Sequence, residues 1–213
     1  GVSGANEAKR VQKEYMQNHR LNIPTLLMAD IIHGFRTIFP IPLALGSTWD
    51  EAAVEKMAEF SAKEAAVSGL HVTFSPMVDL VRDPRWGRVM ESTGEDPLLN
   101  SRLAAAMVRG YQGENLKEDN WRVAACVKHF AAYGGALAGR DYNTVDMSER
   151  QLREMYLPGY KAGLDAGAKL VMTSFNTVDG IPATGNQWLF RDVLRNEFGF
   201  EGVVISDWER LKN

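Results

Sequence analysis

The sequence predicts an α/β fold of the (β/α)8 TIM-type barrel class, incomplete over this chain. Three observations predict it. Short apolar runs alternate with longer amphipathic stretches, polar residues come directly after the runs, and no glycine-rich nucleotide-binding turn succeeds the first run. The runs span residues 25–29, 71–74, 123–127, 170–173 and 202–205, and they are almost continuously apolar. Such runs suit strands covered on both faces of a parallel sheet, because a half-exposed strand would alternate apolar with polar residues. A sixth, irregular strand is expected near residues 36–45. Six strands do not close an eight-stranded barrel. Residues 1–213 are therefore expected to form one partial barrel domain, with a first strand and the part after Asp207 missing.

The helices between the runs carry their own signals. Thr48 and Glu51 have capping-box spacing and open a predicted helix to about Ser68, which Gly69 closes. Asp96 followed by Pro97 joins an N-cap to a proline at the first helical position, for a helix running towards Gly110 or Gly113. Ser148 and Gln151 open a third helix. Pro158 should break or kink it, since proline lacks an N–H and its ring meets the carbonyl four residues back. Thr184 and Gln187 open a fourth, with Leu189, Val193 and Leu194 on one side and an end near Gly199.

The residues at the strand ends separate a barrel from an open, doubly wound sheet. The five runs lead to Asp30, Asp79, Lys128-His129, Phe175-Asn176 and Asp207. Barrel strands deliver their C-terminal residues to one face, where sites are built. A dinucleotide-binding sheet would need GxGxxG after its first strand; that motif and the P-loop are both lacking.

Composition excludes several classes. The net charge of −3 carries no basic surplus, which argues against nucleic acid as a partner. No apolar run approaches the roughly 20 residues needed to cross a bilayer, so no membrane is expected. Cys126 lies in an apolar run and reads as a small buried hydrophobe. Without CxxC or HExxH, and with four scattered histidines, neither a metal nor another cofactor is expected.

Taken singly, the polar strand ends have plainer readings. Ser206 and Glu209 have the spacing of a helix cap, Asp30 and Arg88 could form surface ion pairs, and Trp86 and Trp208 could be core. Convergence in one pocket weakens those readings. That pocket would set carboxylates Asp30 and Asp207 among Arg88, Lys128 and His129. Neighbouring cations favour the charged form that a carboxylate nucleophile needs. Asp30, Arg88 and Lys128 suit forked hydrogen bonds to adjacent hydroxyls, and Trp208 offers an apolar face to a sugar ring. Phosphate would call for glycine-rich backbone donors. The set fits a neutral, polyhydroxylated substrate.

Several stretches together resemble glycoside hydrolase family 3. They are Met28-Ala29-Asp30-Ile31-Ile32-His33-Gly34, Arg82-Asp83-Pro84-Arg85-Trp86-Gly87-Arg88 with Glu91, Lys128-His129-Phe130, and Val203-Val204-Ile205-Ser206-Asp207-Trp208. Tyr142-Asn143-Thr144-Val145-Asp146-Met147-Ser148 is similar to the periplasmic β-glucosidase branch. The resemblance implies a retaining, exo-acting β-glycosidase acting on β-linked oligosaccharides or aryl glycosides, in a periplasmic or secreted location. It implies Asp207 as nucleophile and Asp30, Arg88, Lys128 and His129 as holders of the terminal sugar's hydroxyls. Glu91 would support them, and Phe175 and Trp208 would line the subsite. Phe175 stands where many members carry tyrosine, so a hydroxyl near the nucleophile is lost. The resemblance also implies an acid/base Glu on a second domain beyond Asn213, which leaves activity of these residues alone in doubt. Two other readings stay open: a sugar-binding barrel part without turnover, and a Schiff-base aldolase using Lys128.

Overall fold

The computed structural model describes residues 4–208. Strands β1 (Met28–Ala29), β2 (Val72–Thr73), β3 (Ala124–Phe130) and β4 (Leu170–Thr173) pair in parallel. After a two-stranded hairpin of β5 (Thr177–Val178) and β6 (Ile181–Pro182), strand β7 (Val203–Ile205) adds to the edge of β4. The five-stranded order is β1-β2-β3-β4-β7. Each new strand joins the same growing edge, whereas a doubly wound sheet reverses direction at a switch point. The result is a curled parallel half-barrel. All five predicted runs contribute a strand to it.

The predicted sixth strand is not there. Residues 34 and 38 form an isolated antiparallel bridge, and helix α2 (Pro42–Gly46) comes after it. Pro40 and Pro42 remove two ladder donors from this stretch, and proline at the first position of α2 suits a helix start instead. Glu64 holds the loop by accepting hydrogen bonds from the backbone N–H of Arg36 and Thr37 at 2.8 and 2.9 Å.

Helix α1 (Ala5–Asn18), which was not among the expected helices, rests on the turn between α3 (Glu51–Val67) and β2. Gly69 makes this possible twice over. Its φ of +91° is a left-handed conformation, and a Cβ there would stand 2.4 Å from the Cβ of Ala8. The α3 cap is Asp50, which accepts from the Ala53 N–H at 2.9 Å, rather than Thr48. Trp49 turns the chain between them with φ +56°, and the Thr48 hydroxyl donates instead to the Leu45 carbonyl. Helix α4 (Pro97–Gln112) begins and ends as expected: Asp96 accepts from the Leu99 N–H at 2.7 Å, and Gly113 closes it with φ +60°.

Pro158 does not break its helix. Ser148 caps α5 (Glu149–Gln151), a π-helical turn (Leu152–Tyr156) comes next, and α6 (Leu157–Asp165) runs on with Pro158 in its first turn. The wider π turn takes up the place where proline offers no N–H. The fourth predicted helix is a π-helical segment (Trp188–Glu197), capped by Asn186 rather than Thr184, with Leu189, Val193 and Leu194 buried. Asp179 and Gly180 both have positive φ, the turn chemistry of a tight hairpin, and they join β5 to β6. Glu209, the partner expected for Ser206 in a capping box, lies outside the described residues.

The core runs from α3 and α4 across the sheet to α6. Cys126 is buried within the sheet, and burial raises its thiol pKa above the ordinary value, as befits an inert packing residue. Among the described residues no helix is long and apolar enough to cross a membrane.

Helices α3 and α4 touch closely at Gly110, where a Cβ would lie 2.3 Å from the Glu55 carbonyl oxygen and 2.6 Å from the Ala58 Cβ. A methyl group at that point must push the helices apart. Gly110→Ala is therefore expected to destabilise the protein by about 1–2 kcal/mol, overpacking exceeding the helix-propensity gain of about 1 kcal/mol. A fall in the denaturant midpoint at unchanged m-value checks this.

Candidate active site

The site grows from the end of β3. Lys128 and His129 are consecutive there, and both side chains are almost completely buried. The segment after β2 runs alongside: the Val78 N–H donates to the Lys128 carbonyl at 2.8 Å, and the Lys128 N–H donates to the Pro76 carbonyl at 3.1 Å. This pairing carries Asp79, fully buried, to the side of His129. One Asp79 oxygen, Oδ2, takes the His129 backbone N–H at 3.2 Å and ring Nδ1 at 2.6 Å. The other, Oδ1, lies 2.7 Å from the hydroxyl of Tyr160 on α6. His129 Nε2, on the far side of the ring, stands 3.4 Å from Asp207 Oδ2.

Lys128 Nζ pairs with Asp30 Oδ1 at 2.8 Å and stands 3.8 Å from Glu91 Oε2. Glu91 in turn receives a bidentate grip from Arg88, with Nε and Nη2 at 2.7 and 2.9 Å. Burial disfavours the Arg88 charge, but the Glu91 hydrogen bonds and charge outweigh it and hold the guanidinium pKa above its ordinary value. Arg88 also lies over the Tyr133 ring, 5.6 Å from its centroid. The strand ends thus form one continuous chain of charged contacts, from Arg88 through Glu91 to Lys128 and Asp30.

Aromatic rings bound the other side. Tyr133 meets His129 edge-on at 5.3 Å, and Phe175 lies 6.4 Å from His129 and 4.8 Å from Tyr142, which is exposed. Asp141 anchors this wall by accepting from the Tyr133 hydroxyl and from Trp86 Nε1. Burial first, and Asp141 second, push the Tyr133 phenol above its ordinary pKa, so it remains a neutral donor. Trp86 is buried among Met77 and Tyr133 and is core, the plainer of its two readings. Trp208 comes after Asp207 and is 82% exposed; its N–H donates to Asp207 Oδ1 at 2.6 Å.

All the residues expected at the site come from this one end of the sheet. Arg88, Glu91, Lys128 and Asp30 are linked by direct contacts, His129 meets Asp207 beside them, and Phe175 packs against His129 in the aromatic wall. The solvent-facing carboxylates differ in access: the Asp30 side chain is 61% exposed, that of Asp207 only 16%. Sequence reasoning noticed Asp79 as a strand end but did not bring it into the pocket. Tyr160 opens a stretch, Tyr160 to Gly167, that is similar to the same β-glucosidase branch, but it drew no reading as a site residue, because a tyrosine inside a helix is ordinarily core. Among the described residues no three His, Cys, Asp or Glu side chains gather as metal ligands.

The family model for the N-terminal domain of glycosyl hydrolase family 3 matches residues 2–213. The chain belongs to glycosyl hydrolase family 3. Among relatives in the family, the periplasmic β-glucosidase of Salmonella typhimurium is 47% identical over 206 residues, covering 97% of this chain and 27% of the relative. A β-xylosidase of Formosa agariphila is 39% identical over 202 residues, covering 89% of this chain and 28% of the relative. A solved mutant β-glucosidase from Listeria innocua in complex with laminaribiose is 63% identical with a TM-score of 0.95, covering 97% of this chain and 29% of that one. The chain thus spans under a third of the length of these family 3 relatives.

Within this family 3 site, Glu91 is the carboxylate shared by two cations. Glu91→Ala leaves Arg88 without its bidentate partner and Lys128 with Asp30 alone. A loss of about 1.5–3 kcal/mol of stability is expected, the range for hydrogen bonds to charged groups. Chemical denaturation compared with wild type measures it.

Proposed function

We propose that this chain is the nucleophile-bearing part of a retaining, exo-acting β-glycosidase of the β-glucosidase type. The observation that carries the reading is Asp207. Its carboxylate stands just past the last parallel strand, is mostly shielded from solvent, and lies 3.4 Å from His129 Nε2. The pocket beside it offers Lys128, Arg88 and Asp30, which are donors and acceptors suited to vicinal hydroxyls. The β-glucosidase and β-xylosidase relatives, and the laminaribiose complex of the Listeria innocua enzyme, support β-linked sugars as the substrate class.

In this reading Asp207 attacks the anomeric carbon while the glycosidic oxygen departs with a proton from a general acid. The covalent glycosyl-enzyme is then opened by water, which gives its proton to the same group acting as base. That second carboxyl belongs about 5–5.5 Å from the nucleophile. We assign it to a Glu on a further domain, and we assign the parallel half-sheet to a full (β/α)8 barrel. The name of the Salmonella typhimurium relative supports a periplasmic or secreted location. Lys128 acts here as an ion-paired hydrogen-bonding group. Its Nζ is committed to Asp30 and Glu91, which leaves the aldolase reading without support.

Two outcomes are expected, both measured in the full-length protein. A 2-fluoro glycoside, which slows hydrolysis of the intermediate, is expected to label the peptide containing Asp207, and Asp207→Ala to abolish both labelling and turnover. Labelling of another peptide would remove Asp207 from its role. Lys128→Ala is expected to lower kcat/KM by about tenfold to a thousandfold, the loss of several kcal/mol of hydroxyl contacts that tighten in the transition state. Steady-state kinetics on an aryl β-glycoside give the value.

A further inference from the structure

We propose that Asp79, held by Tyr160, is a positioning residue for His129: it determines which imidazole nitrogen faces Asp207 and fixes the plane of the ring. The inference rests on the reading of Asp207 as nucleophile and deepens it.

Asp79 is out of place by its surroundings. It sits in the run Met77-Val78-Asp79-Leu80, whose members are all buried, and Asp79 is the one carboxylate in it. Burying a carboxylate is costly unless hydrogen bonds replace its water, and a side chain wanted only for packing would be apolar here. Donors replace that water from two directions. The His129 backbone and ring converge on Oδ2, and the Tyr160 hydroxyl approaches Oδ1. Tyr160 is itself fixed. Its oxygen also lies 2.6 Å from the His129 carbonyl and accepts from the Ala132 N–H at 3.2 Å, and its ring stands edge-on to Phe130 at 5.2 Å. Asp79 therefore has one available position, and it dictates one for the imidazole.

The consequence lies at Nε2. A carboxylate only accepts, so the Asp79 contact keeps a proton on Nδ1 and directs that nitrogen inward. Nε2 is left as the nitrogen that meets Asp207 and a sugar hydroxyl. Without Asp79 the ring can turn about its Cβ–Cγ bond and offer carbon where nitrogen stood. Partners behind a functional histidine commonly act in this way, setting tautomer and orientation. An ångström of misplacement at a reacting pair is costly in rate.

The test uses the full-length enzyme, with every rate normalised to active sites titrated by the 2-fluoro glycoside. Asp79→Ala is expected to lower kcat per titrated site by about 10–100-fold, the usual cost of losing such an outer partner, with a smaller change in KM. Asp79→Asn, which restores one acceptor in the same shape, is expected to recover part of that loss. Tyr160→Phe keeps the ring and is expected to lose about tenfold, the lower end of the worth of a hydrogen bond to a charged group. It decides the matter if neither Asp79 variant folds.

The decisive comparison adds each variant to His129→Ala. A residue acting through His129 costs nothing further there, whereas a structural role multiplies the losses. Wild-type kcat per titrated site in the variants, or multiplying losses, overturns the inference. A wild-type enzyme that neither turns over nor labels would instead overturn the proposed activity.

Discussion

Lys128 and His129 sit almost wholly inside the protein at the end of its central strand. A buried cation or imidazole is tolerable only where partners replace the water it has lost. Neither residue finds those partners in its own strand. Asp30 arrives from the end of β1, Asp79 from beyond β2, Glu91 from the turn that Arg88 opens, and Tyr160 from α6. Four separate segments must therefore reach correct register before two adjacent side chains are satisfied. The same contacts that make these residues tolerable to bury also arrange the carboxylates, cations and rings of the pocket.

The sheet makes that register possible. Parallel strands joined in chain order put all their C-terminal ends on one side, and the slanted hydrogen bonds of β2 with β3 continue into the pairing of residues 76–78 with Lys128. Behind the sheet, α3 and α4 approach so closely at Gly110 that only a hydrogen fits between backbone and neighbour. The helices are rigid supports; Asp30, Lys128, His129 and Asp207 sit at strand ends, while Arg88 and Glu91 come from the long connection between β2 and α4. Fixed strand ends suit chemistry, where a small displacement of reacting groups is costly in rate.

The aromatic side of the pocket contrasts with the charged side. The Phe175 ring packs against His129, Tyr133 and Tyr142. The hydrogen-bonding hydroxyl on this wall belongs to Tyr133, and Asp141 already receives it. The pocket is thus apolar on the Phe175 side and charged on the Lys128 side.

Much was legible from residues alone. Continuous apolar runs marked all five parallel strands: β2, β3 and β4 are buried, as such runs imply, whereas β1 and β7 at the sheet edges are apolar yet partly exposed. The residues after those runs marked Asp30, Lys128, His129 and Asp207, since a parallel α/β sheet has one end for its chemistry. Caps at Asp96 and Ser148 were legible because they act within one turn of their own helix. Other features depended on contacts between distant segments. Pro158 survived in its helix through a π turn, and residues 36–45 became a turn held by Glu64 and then a short helix. Asp79 was visible as a strand end, yet its link to His129 needed the register of two strands, and Tyr160 needed the packing of α6 as well. Local pattern determined which strands exist and which residues end them, because period and capping act over a few neighbours. The tertiary structure alone decided which buried donor faces which buried acceptor, because that depends on register and packing between segments far apart in the chain.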